Sequence, residues 1–215
     1  MPSRWLTEAL GIRPIKKTER GKVNMAITDR GEMLSRRAAL GLIGGAACLA
    51  ASPVFAAAPA VLRGAGAYRA ISLTSSRLGE QVRTVYWADG SYIPEALEEI
   101  SFLLRDWREN TAMPYDPSTL DVIAALSRKL DIAEPIEVVS GYRSKHTNDM
   151  LRRTNRGVAK HSYHTRAMAI DIRLKGRSVR QIASAAESIG GGGVGRYTRS
   201  QFVHVDSGPL RTWGR

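Results

Sequence analysis

The chain has 215 residues, enough for one ordinary domain or a domain with an appendage, and its 43% apolar content argues against a disordered or fibrous protein. Its 32 Lys+Arg against 20 Asp+Glu give a net charge of +12, which suits any polyanionic partner and does not choose between nucleic acid and an anionic cell wall. The single cysteine, Cys48, excludes an intramolecular disulfide framework and a cysteine-ligated zinc site.

At the N-terminal end, residues 40–58 (LGLIGGAACLAASPVFAAA) form an uncharged stretch behind Arg36 and Arg37. Its apolar character is too weak, and too interrupted by glycines and Pro53, for a convincing membrane span. Ser35-Arg36-Arg37-Ala38-Ala39-Leu40 resembles a twin-arginine export signal, and Val54-Phe55-Ala56 supplies small residues before a cleavage point, so cleavage is expected after Ala56. The pattern departs from the usual one at Ala39, where a Phe is common, and the long segment ahead of it makes Met25 or Met33 an alternative start. A plain Sec signal or an uncleaved anchor is the competing reading. Residues 1–56 hold nine basic and four acidic residues, so the mature chain keeps 23 basic and 16 acidic ones, a net +7. The resulting organisation is a cleavable signal over 1–56, a linker over 57–67 and one catalytic domain over 68–215.

In the mature chain, Arg69–Thr74 and Gln81–Trp87 read as strands, with Asp89-Gly90 as a turn. Pro94–Trp107 carries Leu97, Ile100, Leu103 and Leu104 at the spacing of an amphipathic helix with a proline in its first turn. Asp116-Pro117-Ser118 opens a second helix through Leu130. Ile136–Val139 is a short strand and Thr147–Arg153 a short helix. Ala167–Leu174 reads as a strand and Ser178–Ser188 as a helix, and Val194–Tyr197 and Phe202–Asp206 close the chain as strands. Helices and strands mix without a regular βαβ repeat, which predicts an α+β domain with a mainly antiparallel sheet and flanking helices. Gly190–Gly193 follows a helix and lacks a Gly-Lys-Ser/Thr continuation, so it reads as a helix exit rather than a phosphate loop.

All four histidines fall in the last third of the chain, three of them from His161 onward and beside two aspartates in predicted strands. In Ala167–Leu174, Met168, Ile170, Ile172 and Leu174 share one face, which leaves Asp171 pointing away from the core. In Phe202–Asp206 the same alternation buries Val203 and Val205 and presents His204 and Asp206. On neighbouring strands, opposed side chains of this kind have Cβ atoms ~4.5–5.5 Å apart, a gap that one metal ion can bridge. His164 can fold back from its loop to join them. Two histidines and one aspartate, with a fourth position left to water, is the composition of a catalytic zinc site. A lone histidine or aspartate on a strand is more often simply solvated, so spacing alone leaves both readings open.

The stretch Ser162-Tyr163-His164-Thr165-Arg166-Ala167-Met168-Ala169-Ile170-Asp171 resembles the S-x-H-x-x-G-x-A-x-D signature of the D-Ala-D-Ala metallopeptidase family, whose wider group includes lysostaphin-type endopeptidases and the Hedgehog signalling domain. Ser140-Gly141-Tyr142-Arg143-Ser144, Gly193-Val194-Gly195 and Phe202-Val203-His204-Val205-Asp206 resemble its YcbK-type murein endopeptidase branch, so the likeness runs from about Arg69 to the C-terminus. The resemblance implies a Hedgehog-like α+β fold, Zn2+ held by His164, Asp171 and His204, and Arg143 reaching the scissile carbonyl. It also implies that no nucleophilic Ser or Cys is needed, because zinc lowers the pKa of its water toward ~7. Two departures stand out: Ala167 replaces the signature glycine, and Gln201 occupies the position where carboxypeptidase members carry a Glu general base. An amide does not take a proton from water. The base is then expected to be Asp206 first and His161 second, with Asp206 equally suited to orienting a ligand imidazole. His161 and His146, each beside a lysine in a polar loop, also fit a merely solvated role.

Tyr197, Phe202 and Trp213 are candidates for lining a peptide groove, although core packing is the ordinary role of aromatics at strand positions. The expected protein is an exported, periplasmic zinc metallopeptidase acting on peptidoglycan stem peptides, more at cross-links than at terminal residues. Its expected partners are peptidoglycan and the twin-arginine export machinery, with no nucleic acid and no stable membrane insertion after signal cleavage. A non-catalytic, zinc-containing cell-wall-binding domain on the same fold is the alternative. A nucleic-acid binder is the third, disfavoured by the export signal.

Overall fold

The computed structural model describes residues 67–155 and 157–214; the signal reading and nearly all of the linker reading lie outside the described residues. The chain runs β1 (Tyr68–Ser75), β2 (Glu80–Ala88), β3 (Ser91–Tyr92), α1 (Pro94–Leu103), α2 (Pro117–Lys129), β4 (Ile136–Ser140), α3 (Lys145–Thr154), a 3₁₀ turn (Tyr163–Arg166), β5 (Ala169–Arg173), α4 (Val179–Ile189), β6 (Gly193–Tyr197), β7 (Phe202–Asp206) and β8 (Arg211–Gly214). The strands form one eight-stranded sheet in the order β3-β2-β1-β4-β5-β7-β6-β8. Its pairs are antiparallel except β1 with β4 and β6 with β8, so the α+β reading with a mainly antiparallel sheet holds.

Local chemistry sets the element ends. Asp89 and Gly90 both take positive φ, 49° and 85°, which is what a two-residue turn between twisted antiparallel strands demands. Asp116 caps α2 through Ser118 N–H, and Ser178 with Gln181 closes a reciprocal capping box on α4. Helix α1 ends at Leu103, short of the expected Trp107, because the Leu104 carbonyl is taken by Tyr142 N–H at 2.7 Å and Asp106 pairs with Thr111. Strand β5 starts at Ala169, two residues later than expected, because Ala167 sits in the left-handed region (φ 52°) at the end of the 3₁₀ turn. The chain closes on β8, where the sequence shows no alternation over enough residues to signal a strand.

Packing is one-sided. Helices α2 and α4 lie against each other, α2 on β1 and β7 and α4 on β6 and β7, while α1 packs on β2. Ile170, Ile172, Val203 and Val205 join Leu120, Ile123 and Ile182 in this core. The opposite face of β5 and β7 carries Asp171, His204 and Asp206. It is not the open face expected from alternation: the three are 3%, 7% and 0% exposed. Among the described residues no helix is long and apolar enough to cross a membrane.

Candidate metal centre

One transverse row of the sheet builds the site. Ser140 on β4 faces Asp171 on β5, Asp171 faces His204 on β7, His204 faces Gly195 on β6, and Gly195 faces Trp213 on β8. Register rather than loop geometry therefore brings Asp171 and His204 together. The Gly195 position has to stay bare, since a Cβ there meets the Trp213 ring at 2.6 Å. Trp213 leans across that gap to put its ring 5.2 Å from the His204 ring, and its Nε1 donates to Tyr197 Oη at 3.1 Å. Tyr197 in turn stacks on Phe202. The aromatics named in the sequence thus form a partly buried wall beside His204.

His164 reaches the row from the 3₁₀ turn, which Ser162 caps through His164 N–H. Its Nδ1 donates to the Gly141 carbonyl at 2.7 Å, which fixes the proton on Nδ1 and leaves the Nε2 lone pair facing inward. That carbonyl is available because the chain at Gly141 runs against Leu104, where a Cβ would stand 2.3 Å from the Leu104 oxygen. His204 is held from the other side: its Nε2 donates to Asp206 Oδ2 at 2.9 Å, so Nδ1 turns inward. His164 Nε2, His204 Nδ1 and Asp171 Oδ1 lie 2.9–3.1 Å apart pairwise.

Two imidazole lone pairs, with their N–H groups directed outward, and a carboxylate oxygen face one another in a buried space. Such a set is mutually repulsive unless a cation sits among them, and among the described residues it is the cluster suited to a metal ion. Two imidazole nitrogens and a carboxylate oxygen are the donor types of a three-ligand zinc site. Burial lowers the His164 pKa to about 4, so its imidazole is neutral and ready to ligate at neutral pH. Burial pushes Asp171 up, but His164 and His204 outweigh it and hold the carboxyl well below the usual range. For His204, burial pulls downward and the neighbouring carboxylates of Asp171 and Asp206 outweigh it, for a net rise.

Arg143 stands at the rim, with its Nε on Ser140 Oγ at 2.8 Å and its Nη2 on Asp171 Oδ2 at 2.6 Å. Asp206 is fully committed behind His204. Besides His204 it receives Gly193 N–H, Gly208 N–H and both terminal nitrogens of Arg211, and although burial raises its pKa these partners bring it down to about 2. Of the two roles expected for Asp206, this geometry favours orientation of His204 and leaves no oxygen facing the cluster as a base. His161 is exposed and outside the cluster, lining a neighbouring cleft. Gln201 also lies outside it, in the turn before β7 at φ 55°, where its Nε2 donates to the Thr198 carbonyl. Arg211, which sequence reasoning did not single out, joins the site through Asp206; its only signal was a basic residue at alternating spacing with Trp213.

A mixed sheet whose central row gathers a buried His, His and Asp with an arginine at its rim presents the donor set of a metal-dependent hydrolase. The sequence model of the peptidase family described as peptidoglycan L,D-endopeptidase MepK matches residues 63–213, and the chain belongs to that family of enzymes. It is 40% identical to peptidoglycan L,D-endopeptidase MepK of Escherichia coli (strain K12) over 145 residues, covering 67% of this chain and 80% of that one. It is 39% identical to the probable peptidoglycan L,D-endopeptidase MepK of Haemophilus influenzae over 146 residues, 67% of this chain and 78% of that one.

Proposed function

We propose that the chain is an exported zinc peptidase that hydrolyses peptide bonds at cross-links between peptidoglycan stem peptides. The observation that carries the proposal is the convergence of the His164, Asp171 and His204 acceptor atoms within 4.8 Å of one another. The substrate class rests on the relatives, which are named as L,D-endopeptidases of peptidoglycan. When bound, zinc would polarise the scissile carbonyl and lower the pKa of a water toward ~7.

The chain's own residues supply the rest. Gly141 and Asp206 hold the two imidazoles with their lone pairs inward, so ligation needs no rearrangement. Arg143 keeps a guanidinium beside Asp171, where the carbonyl oxygen of the substrate gains negative charge, a contribution of ~3–4 kcal/mol if it acts as an oxyanion donor does. With Asp206 committed to His204, proton transfer falls to the exposed imidazole of His161, three residues before His164. Trp213 and Tyr197 form the wall against which the peptide strand would lie.

Digestion of purified sacculi with the zinc-loaded protein, followed by mass analysis of released muropeptides, tests the reading. Cross-linked dimers should fall and monomers should rise. Gln201, engaged with its own turn, keeps one rival in view: intact sacculi alongside stoichiometric zinc would identify a non-catalytic wall-binding domain instead.

A further inference from the structure

Arg211 opens β8 beside Gly193 on β6, and a Cβ at that glycine would stand 2.6 Å from the arginine Nη1. The bare backbone lets the guanidinium come down onto Asp206. It grips the carboxylate with both ends of its fork, Nη1 on Oδ1 at 3.1 Å and Nη2 on Oδ2 at 2.5 Å, while the Tyr163 and Trp213 rings lie 4.7 and 5.0 Å from its Cζ. The two oxygens of Asp206 are not held alike. Oδ1 also accepts the backbone N–H groups of Gly193 and Gly208, so it stays fixed whatever the side chains around it do. Oδ2 is the oxygen that holds His204, and among the described residues its donors are His204 Nε2 and Arg211 Nη2. Asp206 is completely buried, and with His204 serving as a neutral ligand Arg211 supplies the permanent positive charge on it.

We propose that Arg211 is a positioning residue for the metal centre: by holding Oδ2 it stops the Asp206 carboxylate from pivoting about its backbone-fixed Oδ1, and so keeps His204 Nδ1 aimed at the ion. The inference rests on the zinc reading and extends it to a side chain that acts on the centre through two others, Asp206 and His204. Charge and aim can be separated. A lysine ammonium is a point charge that neutralises the carboxylate without spanning both of its oxygens, whereas the planar fork of an arginine does both.

The test uses the full chain with isotope-labelled histidine, zinc-loaded and metal-free, and follows the ring N–H protons of His204 and His164 by NMR alongside zinc affinity in competition with a chelator. In Arg211→Ala the His204 Nε2–H should exchange with water about tenfold faster and zinc affinity should fall about tenfold. The His164 Nδ1–H, held by the Gly141 backbone carbonyl, should keep its wild-type rate and serves as the internal reference. Arg211→Lys should recover little of either readout. If Arg211→Ala fails to fold around an unpaired buried carboxylate, the lysine variant decides alone. Three outcomes overturn the proposal: wild-type exchange and zinc affinity in Arg211→Ala show that Arg211 does not steer His204, full recovery in Arg211→Lys assigns it to charge alone, and faster exchange of both ring protons together assigns it to the general stability of the fold. A wild-type chain that takes up no zinc sinks the zinc reading instead, and the ring protons of the metal-free chain still decide whether Arg211 aims His204.

Discussion

Asp206 accepts the Nε2–H of His204 at 2.9 Å from two residues further along β7, the spacing at which strand side chains share a face. The carboxylate therefore acts through the imidazole, fixing its tautomer and its aim. Asp206→Asn keeps the shape but replaces a charged acceptor by an amide, so zinc affinity should fall ~10–100-fold with turnover per bound zinc little changed. Zinc competition with a chelator and turnover at saturating zinc measure the two separately. A loss of ~10²–10⁴ in turnover at full zinc occupancy would make Asp206 the base after all.

Arg143 is gripped on two sides, by Ser140 Oγ and by Asp171 Oδ2. A planar fork satisfies both directions and a lysine ammonium does not. Arg143→Ala should lower kcat on cross-linked muropeptides ~10²–10³-fold with zinc retained, and Arg143→Lys should restore little of it. Loss of zinc in step with activity would instead assign Arg143 to holding Asp171 in place.

Alternation along the two strands was enough to put Asp171 and His204 on one face, and the register Asp171↔His204 makes them opposed neighbours. What alternation could not show is what covers that face, because the cover comes from long-range contacts: the Gly141 carbonyl on His164, Trp213 across Gly195, and Arg211 on Asp206. Only four residues form β8, too few for a period of two to stand out. The same limit applies to the end of α1. Its apolar spacing continues to Leu104, but a tertiary hydrogen bond from Tyr142 takes the carbonyl.

Two phenols are sealed in the fold. Tyr86 Oη donates to Asp121 Oδ1 at 2.8 Å, and Tyr115 Oη donates to the Ala169 carbonyl under β5. Burial, reinforced by Asp121 for Tyr86 and by Asp171 for Tyr115, raises both pKa values above the ordinary one. A raised folded pKa means stability that is complete below the unfolded value of ~10 and is lost as pH climbs above it. Ultraviolet titration should therefore show part of the phenolate signal lagging and appearing only with loss of circular dichroism. A single ionisation step near pH ~10 with the fold intact would contradict this.

Export is a proposal about residues 1–56. A receptor that reads the arginine pair as a unit is blind to lysines, so Arg36→Lys with Arg37→Lys should leave unprocessed precursor in the cytoplasm. Fractionation and immunoblotting check it, and undiminished mature protein outside the cytoplasm would make the signal Sec-type.

Ala167 occupies the place where the resembled signature carries glycine, and its backbone shows why: φ is 52° and ψ 39°, at the left-handed end of the turn that delivers His164. Its methyl is fully buried. Replacing it with glycine relieves roughly 1 kcal/mol of backbone strain and gives up about 0.8 kcal/mol of methyl burial, so Ala167→Gly should leave stability within about 1 kcal/mol of wild type. Valine is a different case. A β-branched side chain is poorly tolerated at positive φ, and two extra carbons have to enter a packed site, so Ala167→Val should cost roughly 3 kcal/mol or more. Because His164 N–H and the Ala167 amide share this turn, zinc affinity should fall with stability in the valine variant and stay unchanged in the glycine variant. Denaturant unfolding and zinc titration on the pair provide the check; a valine variant as stable as wild type would mean that the turn relaxes and that its conformation does not govern where His164 points.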